Sequence, residues 1–420
     1  MLLKFITVFL LAIVMIINNA PAAFADEASL KEPQILGEGA YLIDVLSGQT
    51  LYMKNPDKPL APASTTKIMT GLIAIERGNL NDIVTASSTM LNNKLVDGTK
   101  IYLEPGEKMS LKDLLYALLL NSANDSAVAI AEHIGNDVPN FVEMMNQRAL
   151  EIGATQTHFI NPNGLTETGQ VTTAHDLALI ARVAYQNPTF AEYVRTKSET
   201  ISRDKPDIPT VMVNQNKLLW RDSAVDGIKT GYTTTAKNCL VASMTKDGRQ
   251  FIGVILKSPG PEIWTDMQTM FEFGFTQYKE TVFKASGSII STIMVSNEPV
   301  ALITDRPIYI THKLGDQSST LNLRVVPTSN SPLSTVKEGQ VIAQVEIIDG
   351  NTVVNTLPLK SSRTFFPTPL KSSVLSKYLY WITGFTIMGV VLTLLISRKL
   401  YVDRRWRRQM RLASRRQPNS

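Results

Sequence analysis

The sequence predicts a mixed α/β (α+β) domain, a small all-β sandwich domain after it and a C-terminal transmembrane helix. Residues 26–280 carry strand-like runs at both ends and apolar residues at helical spacing in the middle. Residues 281–366 change to short alternating apolar runs broken by Gly, Pro and Asp-Gly, which is typical of strands and turns. After a linker at 367–377, residues 378–397 are 20 residues without a charge, which is long enough to span a bilayer.

The first 25 residues have the pattern of a secretory signal peptide. Lys4 precedes an apolar run from Phe5 to Ile17, and Ala23-Phe24-Ala25 provides a small-residue cleavage site. We therefore expect the mature chain to begin near Asp26. The alternative is an uncleaved anchor, although an apolar run of 13 residues is short for a membrane span.

Cysteine and histidine usage limits the chemistry of this exported chain. The one cysteine, Cys239, cannot form an internal disulfide, so the fold depends on core packing. The histidines are scattered and show no paired metal-ligand spacing; they are His133, His158, His175 and His312. We predict no metal and no cofactor.

Strand and helix signals set the order of elements in the first domain. Gly39 to Lys54 alternates in type around Ser47-Gly48, which predicts a hairpin. Ser110, with Asp113 three residues later, forms a capping box before the apolar run Leu111 to Leu120. Later helices are expected at Ser126 to Ile134, Val138 to Ile152, Thr172 or Thr173 to Tyr185, and Asp266 to Phe275. The strands Cys239 to Thr245 and Gln250 to Leu256 are expected to form a hairpin through Asp247-Gly248.

Another apolar helix, expected to end at Gly78, opens with a residue pair suited to nucleophilic catalysis. Ser64 and Lys67 are three residues apart, so they lie on one face of the first helical turn. The unpaired N–H groups and dipole of a helix N-terminus favour developing negative charge. The same S-x-x-K spacing also begins at Ser243 and Ser334, in strand-like surroundings. The pair alone is therefore weak evidence.

Two further motifs follow the Ser-Lys pair along the chain. Ser122-Ala123-Asn124 falls between two predicted helices, where helix capping alone would explain its composition. Lys229-Thr230-Gly231 precedes the strand pair, and its glycine would let a substrate backbone approach the wall of a peptide groove. The alternative for this motif is an edge strand with a solvated lysine. Asn161 to Gly164 is predicted to be a turn, without assigned chemistry.

In order, the three motifs resemble the signature of penicillin-binding proteins and serine β-lactamases, with spacings of 58 and 107 residues from serine to serine to lysine. Within that superfamily the chain is similar to low-molecular-mass, serine-type D-alanyl-D-alanine carboxypeptidases of the S11 kind. The similarity rests on NPNGL at 161–165, Thr-Thr-Ala-His-Asp at 172–176 and VDGIKTGYT at 225–233. The resemblance implies a penicillin-binding, transpeptidase-like fold for 26–280.

The resemblance also implies roles for individual residues. Ser64 would attack the carbonyl carbon, Lys67 would accept its proton, and Ser122 would relay a proton to the leaving amine. Burial and the positive charge of Lys229 would both lower the pKa of Lys67. Substrate binding is implied for Asn124, Lys229, Thr230, Gly231 and Tyr232. The substrate would be a peptidoglycan peptide ending in D-Ala-D-Ala, with β-lactam antibiotics as covalent inhibitors.

One feature departs from the family. Some members bind the substrate carboxylate with arginines at about the position of Gln215 and around Pro261 to Trp264, where this chain has none. Arg249 could substitute only if its side chain points inward. The missing arginines leave open a low-activity protein that binds penicillin or wall peptides. A serine β-lactamase is a separate alternative, which the added β domain and the transmembrane segment disfavour.

The uncharged segment Tyr378 to Ser397 is followed by a basic tail, 398–420, with nine positive charges and one negative. The positive-inside rule places this tail in the cytoplasm and the catalytic domain outside, on a bacterial cell membrane crossed once. A surface-lying amphipathic helix is the alternative, but no polar face runs through the segment. Without its tail the chain is net negative, so the pI of about 9.0 does not indicate nucleic-acid binding.

Overall fold

The computed structural model describes residues 32–203, 208, 210–316, 321–329, 333–366 and 374–414; the predicted signal peptide lies outside them. The strands are β1 Gly39–Asp44, β2 Thr50–Lys54, β3 Ile83–Thr85, β4 Lys108–Ser110, β5 Ser198–Thr200, β6 Val211–Val213, β7 Val225–Thr233, β8 Lys237–Lys246, β9 Arg249–Ser258, β10 Tyr278–Lys284, β11 Ile289–Val295, β12 Glu298–Ile303, β13 Ile308–Lys313, β14 Leu321–Pro327, β15 Val341–Asp349 and β16 Thr352–Ser361. The α-helices are α1 Lys67–Arg77, α2 Asn93–Val96, α3 Leu111–Leu119, α4 Asn124–Gly135, α5 Val138–Ile152, α6 Ala174–Gln186, α7 Pro188–Arg195, α8 Lys217–Arg221, α9 Ile263–Gln277 and α10 Val374–Ser414. The 3-10 helices are Ala63–Thr66 and Ser88–Leu91.

An antiparallel sheet of five strands, in the order β2, β1, β9, β8, β7, forms the centre of the first domain. Both predicted hairpins are found. Gly48 has φ +78° in the first, and Asp247 and Gly248 have φ +51° and +78° in the second, as a tight turn between twisted strands requires. The edge strand β7 packs beside the 3-10 turn Ala63–Thr66 and thereby forms one side of the candidate site.

Helices cover both faces of this sheet. Alternate β1 residues point to opposite sides, so Ile43 joins the larger hydrophobic core with α1 and α3 to α7, and Leu42 joins a second core with α8 and α9. The predicted capping box is confirmed, since Ser110 Oγ accepts from the Asp113 N–H at 3.0 Å. The helix predicted to begin at Ser126 begins two residues earlier, at Asn124, which brings that side chain into the first turn.

The C-terminal region is built of strands, as predicted, within its described residues. One sheet has the order β11, β12, β16, β15, β14, and β10 pairs with β13 in a separate ribbon. A third hydrophobic core lies among these strands. Hydrogen bonds join this region to the first domain, because the Thr311 hydroxyl donates to Asp44 Oδ2 at 3.0 Å and Gln49 Nε2 donates to Asp349 Oδ2 at 2.7 Å.

The helix α10 contains the predicted membrane segment. Residues Tyr378–Arg411 have a mean hydropathy of 2.0 in their most apolar window, and none of that window is buried against the rest of the protein. By length and composition this helix is able to cross a membrane. It continues without a break into the basic residues that follow Ser397.

Candidate active site

Ser64 lies in the 3-10 turn that leads directly into α1, and not in the first α-helical turn where the sequence placed it. The Thr65 hydroxyl donates to the Pro62 carbonyl at 2.6 Å. The Thr66 hydroxyl donates to the Ala63 carbonyl at 2.9 Å. These short-range bonds compete with regular α-helix and stabilise the tighter turn. Ser64 is therefore held in a defined position at the start of a buried helix.

Lys67 is fully buried, and its ammonium group contacts three oxygen atoms. Nζ lies 3.1 Å from Ser64 Oγ, 2.6 Å from Asn124 Oδ1 and 2.6 Å from the Asn163 carbonyl oxygen. Burial lowers the pKa of Lys67 well below its ordinary value, and the positive charge of Lys229 lowers it further. The nearby Asp125 carboxylate acts in the opposite direction. The lowered pKa and both of its causes agree with the expectation from the sequence.

The hydrogen-bonding chemistry of these three partners is compatible with proton transfer from Ser64 to a neutral Lys67. A neutral lysine amine has two N–H groups and one lone pair. The carbonyl oxygen of Asn163 and the amide oxygen of Asn124 can only accept hydrogen bonds. Of these three partners Ser64 alone carries a proton, so a neutral Lys67 that donates to both carbonyl oxygens is able to accept a hydrogen bond from the Ser64 hydroxyl.

The alternative that helix capping explains Ser122 and Asn124 is wrong. The N-cap residue of α4 is Ala123, and no side chain caps the helix. Ser122 has the left-handed φ of +64° in the turn before α4 and lines the same cleft as Ser64. The Asn124 side chain accepts from Lys67 and donates to the Asp97 carbonyl. Asn124 thus holds Lys67 in place.

The Lys229 motif lies on the edge strand β7, but its lysine is not solvated, so that alternative is also wrong. Lys229 is only 2% exposed, and its Nζ donates to the Thr230 carbonyl at 3.1 Å. Burial lowers the pKa of Lys229 to about 7. A Cβ atom on Gly231 would lie 2.9 Å from the backbone nitrogen of Ser64. Glycine at this position therefore lets β7 approach the Ser64 turn.

The turn Asn161 to Gly164 takes part in the site, although the sequence assigned it no chemistry. Its Asn163 carbonyl accepts from Lys67, and its Pro162 carbonyl accepts from the Thr70 hydroxyl at 2.6 Å. Gly164 has φ +88°, and a Cβ there would lie 1.9 Å from the Ala63 carbonyl oxygen. The Asn-Gly composition predicts the turn, but its contact with Lys67 depends on long-range packing.

A cleft of about 370 Å³ opens beside Ser64. It is lined by Ser64, Thr99, Ser122, Gln215, Lys217, Thr230, Gly231, Tyr232, Asn238, Cys239, Leu240, Ile263 and Trp264. Residues from all three motifs line it, and Tyr232 is 62% exposed at its edge. A larger cleft, of about 610 Å³, lies between β1, β2 and the C-terminal strands, and none of its described lining residues belongs to the Ser64, Ser122 or Lys229 motif. The smaller cleft is the candidate active site.

Arg249 does not substitute for the missing arginines. Its guanidinium donates to the carbonyls of Gly274 and Phe275 at the end of α9, at 3.3 and 3.2 Å, and stacks on Phe251. It contributes no atom to the cleft lining. Gln215, near which the resemblance implies an arginine in some members, lines the cleft and donates to the Asn121 carbonyl at 2.9 Å.

Comparison with known proteins agrees with this arrangement of motifs. Residues 26–260 match the family Peptidase_S11, D-alanyl-D-alanine carboxypeptidase. The D-alanyl-D-alanine carboxypeptidase DacF of Bacillus subtilis is 33% identical over 353 residues, which cover 79% of this chain and 90% of that protein. The crystal structure of penicillin binding protein 5 from Haemophilus influenzae has a TM-score of 0.62 at 29% identity, and the match covers 80% of this chain and 99% of that one. For the Streptomyces K15 DD-transpeptidase the TM-score is 0.55 at 32% identity, over 58% of this chain and 99% of that one. Because the family match spans more than half of its residues, this chain belongs to the S11 family of D-alanyl-D-alanine carboxypeptidases.

Proposed function

We propose that the protein is a serine-type carboxypeptidase that removes the terminal D-alanine from peptidoglycan stem peptides. The observation that carries the proposal is the 3.1 Å contact between Lys67 Nζ and Ser64 Oγ. In that contact a buried amine with a lowered pKa lies next to the Ser64 hydroxyl, which carries the proton that the amine would accept. Membership of the carboxypeptidase family supports the same reaction.

Acylation begins when Ser64 Oγ bonds to the carbonyl carbon between the last two D-alanines and its proton moves to Lys67 Nζ. The bond from that carbon to the leaving nitrogen then breaks. The leaving amine receives a proton through the Ser122 hydroxyl, and D-alanine departs. Water next adds to the ester carbon, the bond from that carbon to Ser64 Oγ breaks, and a proton from the water returns to Oγ as the shortened peptide leaves.

Several groups would stabilise the charge that develops in these steps. The backbone N–H groups of Ser64 and Tyr232 would form an oxyanion hole, and the close approach of Gly231 to the Ser64 backbone supports this role. Asn124 would hold both Lys67 and the peptide. Lys229 and Thr230 would bind the carboxylate of the terminal D-alanine.

Covalent labelling tests this proposal directly. The full-length protein in detergent is incubated with labelled penicillin, and separately with a peptide ending in D-Ala-D-Ala. A β-lactam keeps its leaving group tethered, so we expect a stable adduct that peptide mapping places on Ser64, together with release of free D-alanine from the peptide. An adduct on Ser243 or Ser334, which share the S-x-x-K spacing, would contradict the assignment.

The same experiment separates the two rival functions. A β-lactamase would lose the adduct rapidly and hydrolyse a chromogenic cephalosporin in the steady state. A binding protein would keep the adduct and leave the peptide uncut. Release of D-alanine with a long-lived adduct is expected only of the carboxypeptidase.

We further propose that Tyr378–Ser397 spans the bacterial cell membrane once, with the catalytic domain outside and the basic tail in the cytoplasm. The apolar composition of α10 and the seven positive charges from Arg398 to Arg411 support this orientation. The described strands between residues 281 and 366 would form a separate β-sandwich that spaces the catalytic domain from the membrane or binds a partner.

Protease protection tests the membrane orientation. Protease added outside intact cells should release a catalytic fragment that begins near Asp26. The basic tail should stay intact until the membrane is permeabilised. Digestion of the tail in intact cells would show that the orientation is reversed.

A further inference from the structure

The candidate active-site cleft beside Ser64 has an exposed cation on its wall. Among the described residues that line this cleft, Lys217 is the one lysine or arginine. Its side chain is exposed, in contrast to the buried Lys67 and Lys229. We propose that Lys217 binds the terminal carboxylate of the substrate peptide together with Thr230 and Lys229, an inference that rests on the proposed carboxypeptidase function.

The position of Lys217 suits this role. It is the first residue of α8, two residues after Gln215, and its Nζ lies 6.0 Å from the centre of the Trp264 ring at the start of α9. Lys217 and Trp264 therefore form adjacent parts of the cleft wall. The half-buried Trp264 also lines the cleft, and its ring face attracts a cation and restricts where the ammonium can lie.

The charges of the described residues leave Lys217 available for a ligand. None of the ion pairs in the described part of the chain includes it. Lys67 already contacts three protein oxygens, and Arg249 contacts the end of α9. Lys229 is only 2% exposed, and burial lowers its pKa to about 7, so near neutral pH it carries only part of a positive charge.

A carboxylate bound between Thr230 and Lys217 would therefore meet a hydroxyl on the β7 side and a solvent-facing ammonium on the α8 side. Such a charge-assisted contact is stronger than a neutral hydrogen bond. Because the carboxylate does not react, this contact is made equally in the ground state and the transition state. Removal of Lys217 should therefore raise KM for the peptide and leave kcat nearly unchanged.

The test uses Lys217→Ala in the full-length protein. For the D-Ala-D-Ala peptide we expect KM to rise about tenfold at low salt, with kcat within about twofold of the unchanged protein. The rate of acylation by penicillin, which also carries a carboxylate, should fall about tenfold. Penicillin methyl ester lacks that charge, so both proteins should react with it at equal rates.

The matched control is Lys197→Ala. Lys197 is also exposed and lies 5.7 Å from the ring centre of Trp220, but it is not part of the cleft lining. The Lys197→Ala substitution removes the same charge and the same kind of aromatic contact. It should change neither KM for the peptide nor the rate of acylation by penicillin. Adding Gln215→Arg to Lys217→Ala should restore most of the lost affinity, since it returns a cation to the cleft.

Three outcomes would overturn the role of Lys217. The first is wild-type KM and acylation rates in Lys217→Ala. The second is an equal fall in the acylation rate with penicillin and with its methyl ester, which would show that the substitution perturbs the structure of the cleft and not a contact with the carboxylate. The third is a change in KM and in the penicillin acylation rate in Lys197→Ala as large as that in Lys217→Ala, which would show a nonspecific effect of net charge. Failure of the proposed function is distinguishable, because the unchanged protein would then release no D-alanine.

Discussion

Ser64→Ala should abolish both release of D-alanine and covalent labelling by penicillin. The nucleophilic oxygen is the atom that forms the acyl bond, so its loss should lower acylation about 10⁴-fold or more. The fold should survive, because within the described part of the chain the hydroxyl makes one hydrogen bond, to Lys67, and its loss should cost about 1 kcal/mol of unfolding free energy. D-Alanine release, adduct formation and thermal unfolding are measured on the same preparation.

The matched controls are Ser243→Ala and Ser334→Ala, which remove the other two serines at S-x-x-K spacing. Ser243 is fully buried within β8 and accepts from Gln250 Nε2 at 3.0 Å, so it offers no route for substrate. Both controls should keep full labelling. Labelling that persists in Ser64→Ala and disappears in a control would reassign the nucleophile.

Lys67→Arg should reduce acylation at least about 10³-fold, although it keeps the positive charge and a long side chain. A guanidinium does not lose its proton near neutral pH, so it offers no lone pair to the Ser64 hydroxyl. The initial rate of penicillin labelling measures the effect. Because an arginine in this fully buried site has to displace neighbouring atoms, thermal unfolding must accompany the kinetics.

The pH dependence of the unchanged protein provides a readout that a packing defect would not imitate. Lys67 works as a base only when neutral, so acylation should increase with pH and level off above the pKa of Lys67. Since burial and Lys229 lower that pKa, the plateau should be reached well below the pH at which an ordinary lysine loses its proton. Acylation at a near wild-type rate in a folded Lys67→Arg protein would remove Lys67 from the proton transfer.

Much of the candidate site could be predicted from the sequence because its motifs lie at local structural boundaries. The Ser-Lys spacing, the capping box at Ser110 and the Asp247-Gly248 hairpin each depend on residues within about four positions, where chain geometry is nearly fixed. The order of the three motifs then favoured one family. The prediction that Ser64 lies in the first α-helical turn was wrong, since the Thr65 and Thr66 hydroxyls stabilise a 3-10 turn there.

The sequence by itself determined the three motifs, the hairpins and helices that carry them, and the apolar segment near the C-terminus, all of which follow from local spacing and composition. Only the tertiary structure decided that Asn163 supplies a carbonyl to Lys67, that Lys229 is buried and that Arg249 turns away. Lys67 and the Asn163 carbonyl are 96 residues apart. Contacts of this kind depend on how helices and strands pack, and on which way each side chain leaves its backbone, so no local pattern specifies them.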